Sequence, residues 1–245
     1  MALYTPEWVE TNIGSFSTLV HTRFEKVPES YDYSAKNNVR SWMVKQAKAW
    51  ISDQKGNEPG KVRLFFLPHV CAIDLYEFSQ AFTVDSAKSL AVEHNHFYAE
   101  HLRSWVEAAD QLEGGEPFLN LQIFEGKTSE ATATVDGKFE IVNLDFQSAW
   151  NLEIQQTLKN LFKRGLLTIP GVLFLTVNDS EVVRLGRAVK KTKPLYTLVP
   201  QRVYQLTNRT VYTCHFLWYM DWATEGSGRM YVFAFGIHHK EAKPG

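Results

Sequence analysis

Cysteine is nearly missing from this 245-residue chain: there are two, Cys71 and Cys214, far apart and in no CxxC or Cys/His spacing. That excludes a disulfide scaffold and a structural zinc site, and it fits a reducing, cytoplasmic compartment. Net charge is missing too, at −1 from 26 Lys+Arg against 27 Asp+Glu. Any affinity for a polyanion must therefore come from a local patch and not from the field of the whole molecule. No run approaches the roughly 18 apolar residues of a membrane span, and the first residues, MALYTPEWVETNIGSF, lack the apolar stretch of a secretory signal. No internal repeat, low-complexity tract or linker rich in Pro, Gly or Ser divides the chain, so one domain over 1–245 is expected.

What is present is an alternation. With 44% hydrophobic residues a large core is available. Val39, Met43, Ala47 and Trp50 fall on one stripe and predict a helix over 34–52, part of an N-terminal helical extension spanning 1–55. After the polar loop at 54–60 the pattern becomes short apolar runs separated by amphipathic stretches, the mark of parallel strands buried on both faces. Strands are expected at 62–67 (VRLFFL), 89–93 (SLAVE), 118–124 (FLNLQIF), 139–144 and 171–177 (GVLFLTV), the last after a break at Pro170-Gly171. Helices are expected at 71–82, 96–112 and 149–163. Two long aromatic strands, 210–220 and 229–237, flank Glu225-Gly226-Ser227-Gly228 and predict an antiparallel hairpin.

Five parallel strands followed by a terminal hairpin is an order of elements that resembles the class I S-adenosylmethionine (SAM)-dependent methyltransferases. The expected fold is accordingly α/β: a three-layer αβα Rossmann-like sheet, mostly parallel, with the hairpin at one edge and a core over 61–240. Leu90-Ala91-Val92-Glu93-His94-Asn95 resembles that family's second strand, which ends in an acid holding the ribose hydroxyls. Asn143-Leu144-Asp145-Phe146 lies where amino-methyltransferases of nucleic acids carry a polar-aromatic motif, and the chain from there to Asn178-Asp179 is similar to the tRNA guanine N2-methyltransferases. The first loop, Leu67-Pro68-His69-Val70-Cys71-Ala72, departs from the family in having no glycine.

The resemblance implies SAM as cofactor, held by Leu67, His69, Glu93, His94 and Glu125. It implies Asn143, Asp145 and Phe146 at the methyl group, one polar side chain orienting an amine and an aromatic ring, Phe146 or Trp150, stacking on the acceptor. Each residue also has a plainer reading. Glu93 and Asp145 could cap the helices that follow them, and Glu125 is an ordinary loop acid. Arg184, Arg187, Lys190 and Lys191 belong to an acid-free segment that suits either DNA or RNA phosphates or simple solvation. His94, His96 and His101 have no spaced carboxylates, so no metal is expected. Three functions stay open: methylation of a nucleic-acid amino group, methylation of a small molecule, and a scaffold or protein-binding subunit that has lost SAM. No membrane partner is expected.

Overall fold

The computed structural model describes residues 33–55, 60–68, 72–111, 115–146, 148–178, 195–208, 210–224 and 228–240. Seven strands form one sheet in the order β3-β2-β1-β4-β5-β7-β6. They are β1 (Leu64–Phe66), β2 (Leu90–Glu93), β3 (Gln122–Glu125), β4 (Phe139–Asp145), β5 (Leu167–Asn178), β6 (Tyr212–Thr224) and β7 (Gly228–His239). The first five are parallel, while β7 runs antiparallel to both β5 and β6. The expected α/β architecture, mostly parallel with an antiparallel C-terminal hairpin, is the one observed.

Helices cover both faces, which is why β1, β2 and β4 are apolar almost without interruption. On one face lie α1 (Tyr33–Lys55), α2 (Ile73–Ser79) and α3 (His96–Ala108), packing Val39, Met43, Leu75, Phe78, Leu102 and Trp105 against Phe66, Ile141 and Phe174. On the other lie α4 (Thr128–Thr134), α5 (Leu152–Lys163) and α6 (Leu195–Thr207), with Ile154, Leu158, Leu161 and Phe162 set against Val142, Leu144 and Phe235. Each of those four side chains on α5 is worth roughly 1.5–3 kcal/mol of burial.

Several boundaries differ from the sequence reading, each for a local reason. The third strand starts only at Gln122, because Glu116–Phe118 coil into a 3-10 turn and Asn120 takes a left-handed conformation (φ 60). The fifth strand does not stop at Pro170. It runs from Leu167 across a register irregularity, pairing Phe139 with Leu167 and then Ile141 with Val172, and a bulge is where a sheet tolerates proline. Helices α4 and α6 have no counterpart in the periodicity. The first is short and holds three threonines, which are poor helix formers, and the second carries Pro200 inside it.

The helix α1 is fastened to the sheet at two places. At its C-terminal half the Trp50 indole stacks on His215 (6.0 Å, 9°) and lies directly over Gly236 of β7, where any Cβ would come within 3.0 Å of the ring. At its N-terminal half the guanidinium of Arg40, only 3% exposed, reaches Asp74 of α2 (Nε to Oδ1, 2.6 Å). The other carboxylate oxygen of Asp74 accepts from Asn143 Nδ2 of β4 at 2.9 Å. All three side chains are buried, so a charge, its counter-charge and an amide are desolvated together.

Two outcomes follow. Gly236→Ala overpacks the Trp50 contact and should cost about 1–3 kcal/mol, seen as a lower urea midpoint at unchanged m, with Trp50→Ala in the same chain relieving part of the loss. Arg40→Met strands the Asp74 carboxylate in the core and should cost roughly 3–5 kcal/mol. Arg40→Met/Asp74→Leu should cost less than Arg40→Met alone, and an equal or greater loss would show that the charge pair is not what the site demands.

Candidate active site

The parallel strands end at a common level because their registers are aligned: Phe66 pairs with Asn143, Glu93 with Glu125, and Asp145 with Thr176. Between β1 and β4 the connections part, since α2 returns the chain on one face while α4 and α5 return it on the other. Such a switch point leaves a crevice at the carboxyl ends of the strands, where ligands of open α/β sheets collect. A cleft of 650 Å³ opens there, lined among others by Leu67, Glu93, His94, Tyr98, Asp145 and Phe146.

Five residues singled out from sequence therefore meet in one cleft: Leu67, Glu93, His94, Asp145 and Phe146. Glu93 is 8% exposed, and its Oε1 accepts from the Asn95 backbone N–H (2.8 Å) and faces His94 Nδ1 at 3.2 Å. Its Oε2 makes no hydrogen bond among the described residues. The cap of α3 is Asn95, whose Oδ1 accepts from Phe97 N–H at 3.0 Å, so Glu93 supports that turn without being its cap. Asp145 is not a cap either, since Asn151 fills that role for α5 by accepting from Ile154 N–H (3.0 Å).

Asn143 is placed differently from its sequence assignment beside the methyl group. It shares a strand face with Asp145, two residues away, yet it lies deeper: the Leu67 N–H donates to its carbonyl (3.1 Å), its amide is committed to Asp74, and it is 1% exposed. It does not line the cleft. Glu125 stands beside the rim with its carboxylate turned to α3, where it bonds His96 Nδ1 (2.8 Å) and Arg103 Nη1 (3.0 Å). These two bonds, that from His96 first, hold its pKa below the usual carboxylate value. Glu100 also pairs with Arg103. The donor atoms of His96, Glu100 and Glu125 lie within 4.8 Å of one another, and the guanidinium between the two carboxylates supplies the positive charge there.

His69 and the basic segment of Arg184, Arg187, Lys190 and Lys191 lie outside the described residues. In the described part of the first loop, Ala72 takes the left-handed turn (φ 45) ahead of α2, a conformation usually left to glycine. Other lining residues escaped the sequence reading, among them Tyr98, Lys127, Thr128, Ser148 and Glu153. Glu153 reaches from α5 to the first turn of α4 and takes both the N–H (2.7 Å) and the hydroxyl (2.8 Å) of Ser129. An acid in the first turn of α5 was the available signal, but its partner belongs to a helix the periodicity does not show.

No family model matches the sequence, and no curated protein matches it. Solved structures do match. Trm5b from Pyrococcus abyssi superposes with a TM-score of 0.53 at 11% identity over 86% of this chain, which spans about half (52%) of that protein's length. The O-methyltransferase TomG from Streptomyces achromogenes, in complex with SAM, gives 0.51 at 14% identity over 94% of both chains. The O-methyltransferase from Bacillus cereus, in complex with SAH, gives 0.50 at 11% identity over 94% of this chain and 96% of that one. The strand order, the terminal hairpin and these superpositions together give this chain the fold of the class I SAM-dependent methyltransferases.

Proposed function

We propose that the chain is a SAM-dependent methyltransferase acting on an amino group of a nucleic acid. The observation that carries this is the meeting of Glu93, Asp145 and Phe146 in one cleft at the switch point of the sheet. The cleft's volume suits a cofactor, for which sites of about 300–1,000 Å³ are usual. Its chemistry also fits. The nearly buried Glu93 carboxylate can accept from two vicinal hydroxyls of a ribose, and Val92, Leu67 and Tyr98 offer apolar walls for a base.

The cofactor supplies an electrophilic methyl group on a sulfonium. The chain's own part is to place the acceptor. Asp145 at the cleft floor accepts a hydrogen bond from the acceptor amine and so directs the nitrogen lone pair, while Phe146 packs against the acceptor ring. Asn143 serves from below as a positioning residue, tying the end of β4 to α2 through Asp74. A near-neutral chain needs local cations for a nucleic acid, and the segment from Arg184 to Lys191 offers four.

One observation favours a rival, a scaffold that binds no SAM: no glycine stands between Phe66 and Ala72, whereas the family's first loop uses glycine to bring its backbone close to the cofactor. Titration calorimetry separates the two. Wild-type protein should bind SAM, and Glu93→Gln, which keeps an oxygen for the Asn95 N–H but loses the charge, should bind roughly tenfold or more weakly. Folded wild-type protein that takes up no SAM at about millimolar ligand, a free energy of only some 4 kcal/mol, would leave the scaffold reading standing.

A further inference from the structure

Beside Glu153 lies a second hollow of 640 Å³, lined by Ser129, Leu152, Gln155, Gln156, Lys159 and Leu206. Glu153 lines both. Both of its carboxylate oxygens are engaged by Ser129, so it forms a fixed wall and its charge is already hydrogen-bonded. The hollow lies between the start of α4 at Ser129 and helix α5, which follows Asp145 and Phe146 in the chain.

The hollow and the surface of α5 that runs on from it have a definite chemistry. Leu152, Gln156, Lys159 and Lys163 recur at intervals of four, three and four along α5, which sets them on one stripe, and all four are exposed. The stripe holds no acid, and neither lysine forms an ion pair among the described residues. Leu152 is 82% exposed at the mouth, and Leu206 of α6 faces the same hollow. On that side too, the Arg202 guanidinium is held over the Trp150 ring (5.4 Å). Cations in a row beside an apolar contact match a strand of phosphates carrying flat bases. A small acceptor would be enclosed by the first cleft and would have no use for the second.

We propose that this hollow and the α5 stripe form the acceptor subsite, and that they hold a single-stranded nucleic-acid segment flanking the nucleotide to be methylated. The proposal rests on reading the cleft as the methyl-transfer site. Lys159 and Lys163 take phosphates, and Leu152 takes a base face.

Fluorescence anisotropy with a labelled RNA of about 12 nucleotides, within the usual site size of such grooves, tests this alongside SAM calorimetry. Wild type should bind the RNA. Lys159→Glu/Lys163→Glu should bind at least tenfold more weakly, with a log–log salt slope shallower by about 1.4, or 0.7 for each lost phosphate, and with SAM affinity unchanged. Leu152→Asp should weaken RNA without altering SAM. No RNA binding by wild type, or equal affinity and slope in the lysine variant, overturns the proposal. So does competition by inorganic polyphosphate as potent as the RNA, phosphate for phosphate. RNA binding that depends on the lysines in a protein that fails to bind SAM supports the subsite while removing the methyltransferase reading.

Discussion

The site depends first on a buried charge. Arg40 of α1, Asp74 of α2 and Asn143 of β4 come together in a core where each is almost wholly removed from water. Such a group is tolerated only when its partners are present, because an unpaired ion there has no solvent to turn to. The requirement acts as a positional lock. It sets the depth of α2 against the sheet and ties the helix that precedes the sheet to the strand that ends in Asp145.

From that lock the cleft follows by topology. Strand β4 is held at its carboxyl end, β1 pairs with it, and β2 and β3 follow in register, so the turns after all four strands open on the same edge of the sheet. The two halves of the cleft have different characters. On the side of β2 and β3 the acids are tied to α3, Glu93 through the Asn95 N–H and Glu125 through His96 and Arg103. On the side of β4 and α5 the acid of the wall, Glu153, is tied to α4. The three acids are thus used to position helix starts, and what faces outward along α5 is neutral or basic.

The sequence was most readable where one physical rule dominated. Apolar runs such as those ending in Phe66, Glu93 and Asp145 marked the buried parallel strands, and the aromatic runs before His239 marked the hairpin, because a strand covered on both faces has few other solutions. It was least readable where rules competed. Threonines obscured α4 and Pro200 obscured α6, although tertiary packing of Ala131, Val199 and Val203 makes both helices part of the core. For the site, the strand ends located Glu93 and Asp145, but alternation along β4 says only that Asn143 and Asp145 share a face. Which of them reaches the cleft depends on how far Leu67 and α2 overlap the strand, and that is a tertiary fact. Glu153 was hidden for a similar reason, as its partner Ser129 lies 24 residues away.

The central claim is that the crevice between β1 and β4 receives the adenosyl cofactor in a chain whose first loop has no glycine. A crystal structure grown with S-adenosylhomocysteine tests it most directly. The expected result is the ligand in the cleft, its ribose hydroxyls within hydrogen-bond distance of Glu93 and its sulfur on the side of Asp145. An empty cleft at saturating ligand, or a ligand bound away from Glu93, would contradict it.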